Sequence, residues 1–183
     1  MSPPPLTLSA VNALDRDAFT AALAGLFEGP PWTVAAAWAA RPFASLDALH
    51  AVLCDVMFAA PEDEQVALLR AHPDLVGRAA RAGTLSPAST GEQAAAGLDR
   101  LSPEEIATFD RLNQEYQARF GFPFVICARE NKHDSILAGF AARLPHTRAQ
   151  EVRIALGEVA KISALRLRDL IRDDRAPDAT PPG

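Results

Sequence analysis

The sequence predicts an all-α protein, a single-domain bundle of about eight helices with one short extended connector. Apolar residues recur at three- and four-residue spacing along most of the chain, the pattern of helices that bury one face. Only residues 122–128 form a run typical of a strand, and Pro123 within it argues against a central strand. With 49% hydrophobic residues among 183, the chain can bury one sizeable core.

Four helices are predicted before residue 72, within a helical domain that spans residues 9–173. The proline-rich residues 1–8 are predicted to be a disordered tail, and so are residues 174–183. Prolines end the first two helices, Ser45 is a suitable N-cap for the third, and Pro61 suits the first position of the fourth. The predicted ranges are 12–28, 32–41, 46–57 and 61–71.

The second half begins with a short segment, residues 74–82, and then opens its helices with hydroxyl caps. In a capping box, two residues three positions apart each accept, with the side chain, a hydrogen bond from the backbone N–H of the other. Three pairs match this pattern: Ser89 with Glu92, Ser102 with Glu105, and Thr147 with Gln150. Asp134 or Ser135 is a suitable cap for a further helix. The predicted helices cover residues 89–98, 102–120, 134–144 and 148–173.

His72 is the first candidate for catalysis, because its neighbours fix its direction. The helix over residues 61–71 should stop there, since Pro73 disfavours helical dihedrals for the residue before it. A stiff X-Pro link would then aim an imidazole, the side chain that titrates nearest neutral pH, from a helix C-terminus. The alternative interpretation is that His72 only covers the helix end, where a cation is favoured.

Arg166 is the second candidate, because it falls on the apolar face of the last helix. At about 100° per residue it lies about 40° from Val152, inside the stripe that Val152 shares with Leu156 and Val159. An arginine cannot lose its charge, so a core-facing one needs a carboxylate partner or an anionic ligand. The alternatives are a buried salt bridge, or a packed stem whose charged head reaches water.

Two further features could meet a polar ligand. Ser89, Glu92 and Gln93 lie at a predicted helix start, where unpaired backbone N–H groups attract anions, and Gln93 is not needed by the cap. The alternative for Ser89 and Glu92 is the capping role alone. The connector around Phe124–Ile126 should carry backbone amides into the interior, and buried amides need partners.

Several functional classes are not favoured. The net charge is −5 and no dense Lys/Arg block occurs, so no nucleic-acid partner is expected. No apolar run reaches the ~18–20 residues that span a bilayer, so no membrane association is expected. There is no H-E-x-x-H, P-loop or dinucleotide glycine pattern, and no metal site is predicted. Cys54 and Cys127 are isolated, which favours a reducing, cytoplasmic location.

Five short motifs occur in order along the chain. They are Ala-His-Pro-Asp-Leu at 71–75, Ser-x-x-Glu-Gln at 89–93 with Ala-Gly-Leu-Asp at 96–99, Leu-Asn-x-x-Tyr at 112–116, Arg-Phe-Gly-Phe-Pro-Phe-Val-Ile at 119–126 and Leu-Arg-Leu-x-Asp-Leu at 165–170. Together they resemble the OHCU decarboxylases of purine catabolism, which act on 2-oxo-4-hydroxy-4-carboxy-5-ureidoimidazoline (OHCU). The resemblance covers roughly residues 10–172 and departs at Pro145-His146, where the family usually has a polar, often asparagine-containing turn.

The resemblance implies an all-helical, cofactor-free and usually homodimeric enzyme that converts this ureidoimidazoline substrate to (S)-allantoin during urate degradation. It assigns catalysis to His72 and Glu92, and substrate binding to Pro73, Ser89, Gln93, Phe124, Val125, Ile126 and Arg166. Two alternatives remain. The first is a non-enzymatic helical interaction module, which would not explain a core-facing arginine. The second is a ring-opening hydrolase of the same pathway, which would need an activated water, and the sequence shows no metal site or nucleophile pair to activate one.

Overall fold

The computed structural model describes residues 6–174, and it confirms an all-α fold. Within that range ten α-helices occur: α1 (Leu8–Ala13), α2 (Arg16–Leu23), α3 (Trp32–Ala37), α4 (Leu46–Ala59), α5 (Glu62–Arg70), α6 (Arg78–Arg81), α7 (Pro87–Ala95), α8 (Pro103–Phe120), α9 (His133–Arg143) and α10 (Arg148–Leu170). Three 3-10 turns cover Ala24–Leu26, Trp38–Ala40 and Ala128–Glu130. None of these helices is both long and apolar enough to cross a membrane.

Residues 6–8, at the end of the predicted N-terminal tail, belong to secondary-structure elements. Leu6–Thr7 forms a two-residue strand, β1, that pairs in parallel with β2, Ile171–Arg172. Leu8 is fully buried at the start of α1, and the Ser9 N–H donates to Asp174 at 3.0 Å. The two chain ends therefore stabilise each other through contacts over 160 residues apart in sequence, which local composition does not signal. Residues 1–5 and 175–183, the rest of both predicted tails, lie outside the described residues.

The first predicted helix is divided, and three of the predicted caps are confirmed. The cap predicted at Asp134 or Ser135 was wrong, because α9 begins after Lys132. Asp15 caps α2 by accepting from the Ala18 N–H at 2.8 Å, and this new start separates α2 from α1. Ser45 caps α4 as predicted, accepting from the Ala48 N–H at 3.1 Å. The capping boxes at the starts of α8 and α10 are also present, at Ser102 with Glu105 and Thr147 with Gln150.

The chain forms two compact units. Among the described residues, the first comprises 6–26, 30–59 and 163–174, and the second comprises 27–29 and 60–162, so α10 contributes to both. In the first unit Phe19 stacks on Phe43, with ring centroids 6.2 Å apart. These contacts belong to a core built from the inward faces of its helices.

The second unit has an aromatic core that holds the extended connector. Phe124 stacks on Phe140 of α9 with ring centroids 3.8 Å apart, and Tyr116 of α8 meets Phe124 edge-on at 5.2 Å. Residues 122–128 are buried, apart from the half-buried Ile126, and no strand forms there. This confirms the predicted buried connector.

Candidate active site

α5 stops where Pro73 predicts, and this places His72 directly beyond its C-cap. The imidazole is only 7% exposed, and its Nδ1 lies 2.9 Å from the carbonyl oxygen of Leu68. Because a carbonyl can only accept, Nδ1 must carry the proton in this bond. In the neutral ring, Nε2 is then the nitrogen that can take up a proton.

Both interpretations of His72 are therefore compatible with the geometry. The Nδ1–H group bonds the Leu68 carbonyl in the last turn of α5, which also accepts from the Ala71 N–H at 3.2 Å. The same bond fixes the tautomer and the ring orientation, and a general acid–base group needs both to be defined.

The turn that follows His72 is held by three amide side chains from α7 and α8. The bonds are Val76 N–H to Gln93 Oε1 at 3.0 Å, Asn113 Nδ2 to the Leu75 carbonyl at 2.9 Å, and Gln117 Nε2 to Asp74 Oδ1 at 2.6 Å. Val76 has a φ of 55°, a left-handed conformation that costs a β-branched residue about 1–3 kcal/mol. The hydrogen bonds of these three carboxamide side chains keep the strained turn, and hence His72, in one position.

The N-cap of α7 lies three residues earlier than predicted, so the capping box assigned to Ser89 and Glu92 was wrong. Ser86 is the N-cap, with its Oγ accepting from the Ser89 N–H at 3.1 Å, and Pro87 occupies the first helical position. Proline is favoured at that position because its missing N–H would have no helical partner anyway. The buried Ser89 hydroxyl instead donates to Glu28 Oε1 at 3.0 Å.

Gln93 is buried and more engaged than its sequence context suggested. Its Oε1 accepts from Val76, and its Nε2 lies 3.4 Å from the carbonyl oxygen of Asp74. The carboxamide oxygen is thus used by the protein. A carboxamide nitrogen carries two hydrogens, so Gln93 can still offer a ligand one N–H donor.

Glu92 is half-buried on α7, close to the end of the connector. α7 packs against the 3-10 turn Ala128–Glu130. Burial, followed by the charge of Glu130 and more weakly those of Glu158 and Glu92, raises the pKa of the Cys127 thiol. The carboxylate of Glu92 is therefore near enough to this segment to affect its electrostatics.

The connector presents backbone donors. Its Val125 carbonyl accepts from Arg143 Nη1 at 2.7 Å, and its Cys127 N–H donates to Glu158 Oε2 at 2.8 Å. Within residues 6–174, the N–H groups of Phe124, Val125 and Ile126 have no hydrogen-bond partner. Buried amides without protein partners are suited to bind the oxygen atoms of an anionic ligand.

Arg166 is 8% exposed on α10, which confirms its predicted position on the core-facing side. Its Nη1 donates to the carbonyl of Gly25 at 3.3 Å. A guanidinium carries five N–H donors in a planar fork. Arg166 belongs to the first unit, whereas the other candidate residues belong to the second.

A buried ionic network lies beside the connector, and no sequence pattern predicted it. Glu151 is fully buried and its Oε2 accepts from Arg143 Nε at 2.9 Å, while the Tyr116 hydroxyl bonds the same carboxylate. The Arg143 guanidinium lies over the ring of Phe124, 4.3 Å from its centroid. An arginine in the last turn of a helix is usually a surface cation that favours the helix dipole, so Arg143 carried no signal of this role.

Different candidate residues line two cavities in the second unit. His72 and Pro73 line an open cavity of about 470 Å³ together with Phe122 and Pro123. Gln93 lines another of about 360 Å³, and neither is lined by Ser89 or Glu92. Residues 6–174 hold no group of three or more metal-ligating His, Cys, Asp or Glu side chains.

The comparison with known proteins decides the family. A family model described as OHCU decarboxylase matches residues 12–168. The chain belongs to the OHCU decarboxylase family. A relative from Haloferax volcanii named 2-oxo-4-hydroxy-4-carboxy-5-ureidoimidazoline decarboxylase is 42% identical over 164 residues, which cover 90% of this chain and 95% of the relative. A relative of the same name from Amia calva is 43% identical over 162 residues, covering 88% and 93%.

A solved structure has a similar fold. The crystal structure of (S)-allantoin synthase superposes with a TM-score of 0.72 at 25% identity, covering 92% of this chain and 54% of that chain. Membership of the OHCU decarboxylase family favours the decarboxylase over both alternatives, the interaction module and the ring-opening hydrolase.

Proposed function

We propose a mechanism for the decarboxylation of OHCU to allantoin by this chain, in which His72 moves the protons. That decarboxylation, a step of urate degradation, is the reaction named for the chain's family and close relatives, and the chain is a carboxy-lyase. The observation that supports the role of His72 is the Nδ1 bond to Leu68, which leaves Nε2 as the proton-exchanging atom.

The substrate itself can accept the electrons that decarboxylation releases. When the bond to the carboxylate breaks, its electron pair forms a double bond to the adjacent ring carbon, and the C=N pair moves onto the ring nitrogen, which takes a proton. The hydroxyl then loses its proton as a carbonyl forms, and the carbon that bears the ureido group gains one. The protein must therefore bind an anion, exclude water and deliver a proton to one face.

His72 is proposed to take the hydroxyl proton on Nε2 and then to reprotonate the ring carbon from one side. Pro73 limits the backbone freedom of His72, and the bond to Leu68 limits rotation of the ring. A proton donor fixed on one side explains the formation of one enantiomer, (S)-allantoin. Water would protonate the carbon from both faces.

Polar groups of α7 are proposed to hold the ureido part of the substrate. Glu92 would accept from the ureido N–H groups, since an ionised carboxylate only accepts. Gln93 would donate its second Nε2 hydrogen, and Ser89, already bonded to Glu28, would contribute its hydroxyl oxygen. Glu92 would act in catalysis by keeping the substrate aligned with His72.

The N–H groups of Phe124, Val125 and Ile126 are proposed to bind the anionic part of the substrate. The family resemblance also proposes Arg166, in the first unit, as an anion-binding residue. The fork of Arg166 suits a carboxylate, and charge-assisted bonds are about twice as strong as neutral ones. The burial of the connector supports this role, because amide donors are more effective where water is excluded.

We also propose a homodimer in the cytoplasm. The support for the dimer is the family resemblance, and the support for the compartment is the pair of free thiols, Cys54 and Cys127. Light scattering after size-exclusion chromatography tests the first, since a chain of 19.5 kDa should then give twice that mass.

The activity is tested by generating OHCU from urate with uricase and the hydrolase that follows it. Circular dichroism then follows the growth of (S)-allantoin with this protein, with His72→Ala and with buffer. We expect fast growth of one enantiomer with the wild type only. Slow, racemic formation at the rate of the buffer control would refute the proposed function.

A further inference from the structure

Two charged side chains form hydrogen bonds with the connector on either side of Ile126. Arg143 Nη1 donates to the Val125 carbonyl at 2.7 Å, and Glu158 Oε2 accepts from the Cys127 N–H at 2.8 Å. Arg143 comes from the end of α9 and Glu158 from α10, so the connector is held from two separate helices.

These two bonds determine where the polar groups of Ile126 point. A trans peptide is planar, and its C=O and N–H lie on opposite sides of the chain. Because the Val125 carbonyl points to Arg143, the Ile126 N–H of that peptide points the opposite way. By the same rule, the bond from Cys127 N–H to Glu158 turns the Ile126 carbonyl away from Glu158.

We infer that Arg143 and Glu158 are positioning residues for the decarboxylation, which orient the Ile126 peptide groups toward the substrate through the Val125 carbonyl and the Cys127 N–H. The inference rests on the proposed function, because it takes the connector as part of the substrate site. Neither side chain is proposed to touch the substrate.

The surroundings of both residues fit a positioning role. Arg143 is fixed by the buried Glu151 at 2.9 Å and by stacking over Phe124, the first residue of the proposed anion-binding run. The side chain of Glu158 is 13% exposed, and its other oxygen bonds Lys161 at 2.7 Å. The side chains of Arg143 and Glu158 are therefore each held by a second partner, as a fixed backbone donor requires.

Glu158 offers the cleaner test, because its replacement leaves the buried Arg143–Glu151 pair intact. Glu158→Ala removes the acceptor of the Cys127 N–H, whereas Glu158→Gln keeps an oxygen there. Lys161→Met is the matched control, since it removes the ion pair of Glu158 but not the backbone bond. We expect Glu158→Ala to lower kcat/KM about 3- to 10-fold, as expected for misplacing one hydrogen bond. Glu158→Gln and Lys161→Met should stay within about 2-fold.

Hydrogen exchange at the Cys127 amide, measured by NMR on the same variants, gives a readout that does not depend on activity. The amide should be protected in the wild type, Glu158→Gln and Lys161→Met, and should exchange much faster in Glu158→Ala. If that amide loses protection while kcat/KM stays at the wild-type value, the positioning role is refuted. It is also refuted if the glutamine variant is as impaired as the alanine variant, or if the wild-type amide exchanges freely.

Arg143→Lys provides the second variant. A lysine keeps the charge for Glu151 but cannot bond Glu151, Tyr116 and Val125 in one plane. We expect it to fold and to lose kcat/KM by about 10-fold. An undiminished kcat/KM in Arg143→Lys would overturn the role of Arg143. A wild type without decarboxylase activity would instead refute the proposed function, with Cys127 protection unaffected.

Discussion

Arg143→Met should destabilise the protein far more than any surface substitution of the same kind. Glu151 is fully buried; its Oε2 accepts a hydrogen bond from Arg143 Nε at 2.9 Å and lies 2.9 Å from Arg143 Nη2 in the same ion pair. Methionine preserves much of the packed stem and removes the charge. The carboxylate of Glu151 then keeps only its bonds to Tyr116 and His146.

The expected loss follows from leaving a buried charge without its main partner. Breaking such a pair from one side costs about 3–5 kcal/mol. For a chain of 150–250 residues each kcal/mol lowers Tm by about 2–4 °C, so Tm should fall by about 6–20 °C. Removing both charges with Arg143→Met and Glu151→Leu should recover most of the loss, because no unpaired carboxylate remains.

Urea unfolding followed by circular dichroism at neutral pH measures these differences. The matched control is Arg111→Met on α8, since Arg111 is 66% exposed and pairs only at 3.7 Å with Glu115. The control should change the free energy of unfolding by less than about 1 kcal/mol. The reasoning would be refuted if Arg143→Met were as stable as the control, or if the double variant were less stable than Arg143→Met alone.

Three further predictions concern the site and its pH dependence. His72→Ala should lower kcat by about 10²–10⁴-fold while the protein still folds, as measured by the allantoin assay and thermal melts; near-normal turnover would exclude His72 as the proton carrier. Arg166→Met should lower kcat/KM by about 10- to 100-fold, Arg166→Lys should rescue it poorly, and wild-type rates in either variant would exclude an anion-binding role. Burial, opposed by the charge of Arg143 and assisted by Glu151, raises the pKa of Tyr116 well above its ordinary value of 10.0. Because Tyr116 is the only tyrosine, ultraviolet titration of the folded protein should show no phenolate near pH 10. The free energy of unfolding that this pKa difference contributes is complete below about pH 10 and should fall as the pH rises above 10. Phenolate formation near pH 10 in the folded protein would contradict the buried network.

The features that the sequence predicted correctly are those that depend on neighbouring residues. Pro73 stops α5 at His72, Ser102 caps α8, and a 100° step places Arg166 on the buried face of α10. Each of these depends on a handful of consecutive residues or on one helical period. The true cap of α7 has a local signal too, since Ser86-Pro87 repeats the Ser102-Pro103 pattern that begins α8.

The features that the sequence did not predict depend on contacts between distant segments. Gln117 reaches Asp74 across 43 positions, and Glu158 reaches Cys127 across 31. On a helical wheel such polar residues are indistinguishable from solvated ones, because their partners are set by how helices pack. The short pairing of residues 6–7 with residues 171–172 was missed for the same reason.

One helix, α8, links the two parts of the proposed site that lie in the second unit. Asn113 and Gln117 hold the turn after His72, and between them Tyr116 bonds the carboxylate that fixes Arg143. Residues 113 and 117 share one face of the helix, and residue 116 lies about 60° away from the nearer of them. The proton carrier and the backbone donors are thus set by one rigid element. This arrangement suits a reaction in which the substrate accepts its own electrons, because the protein's contribution is then the relative position of its groups.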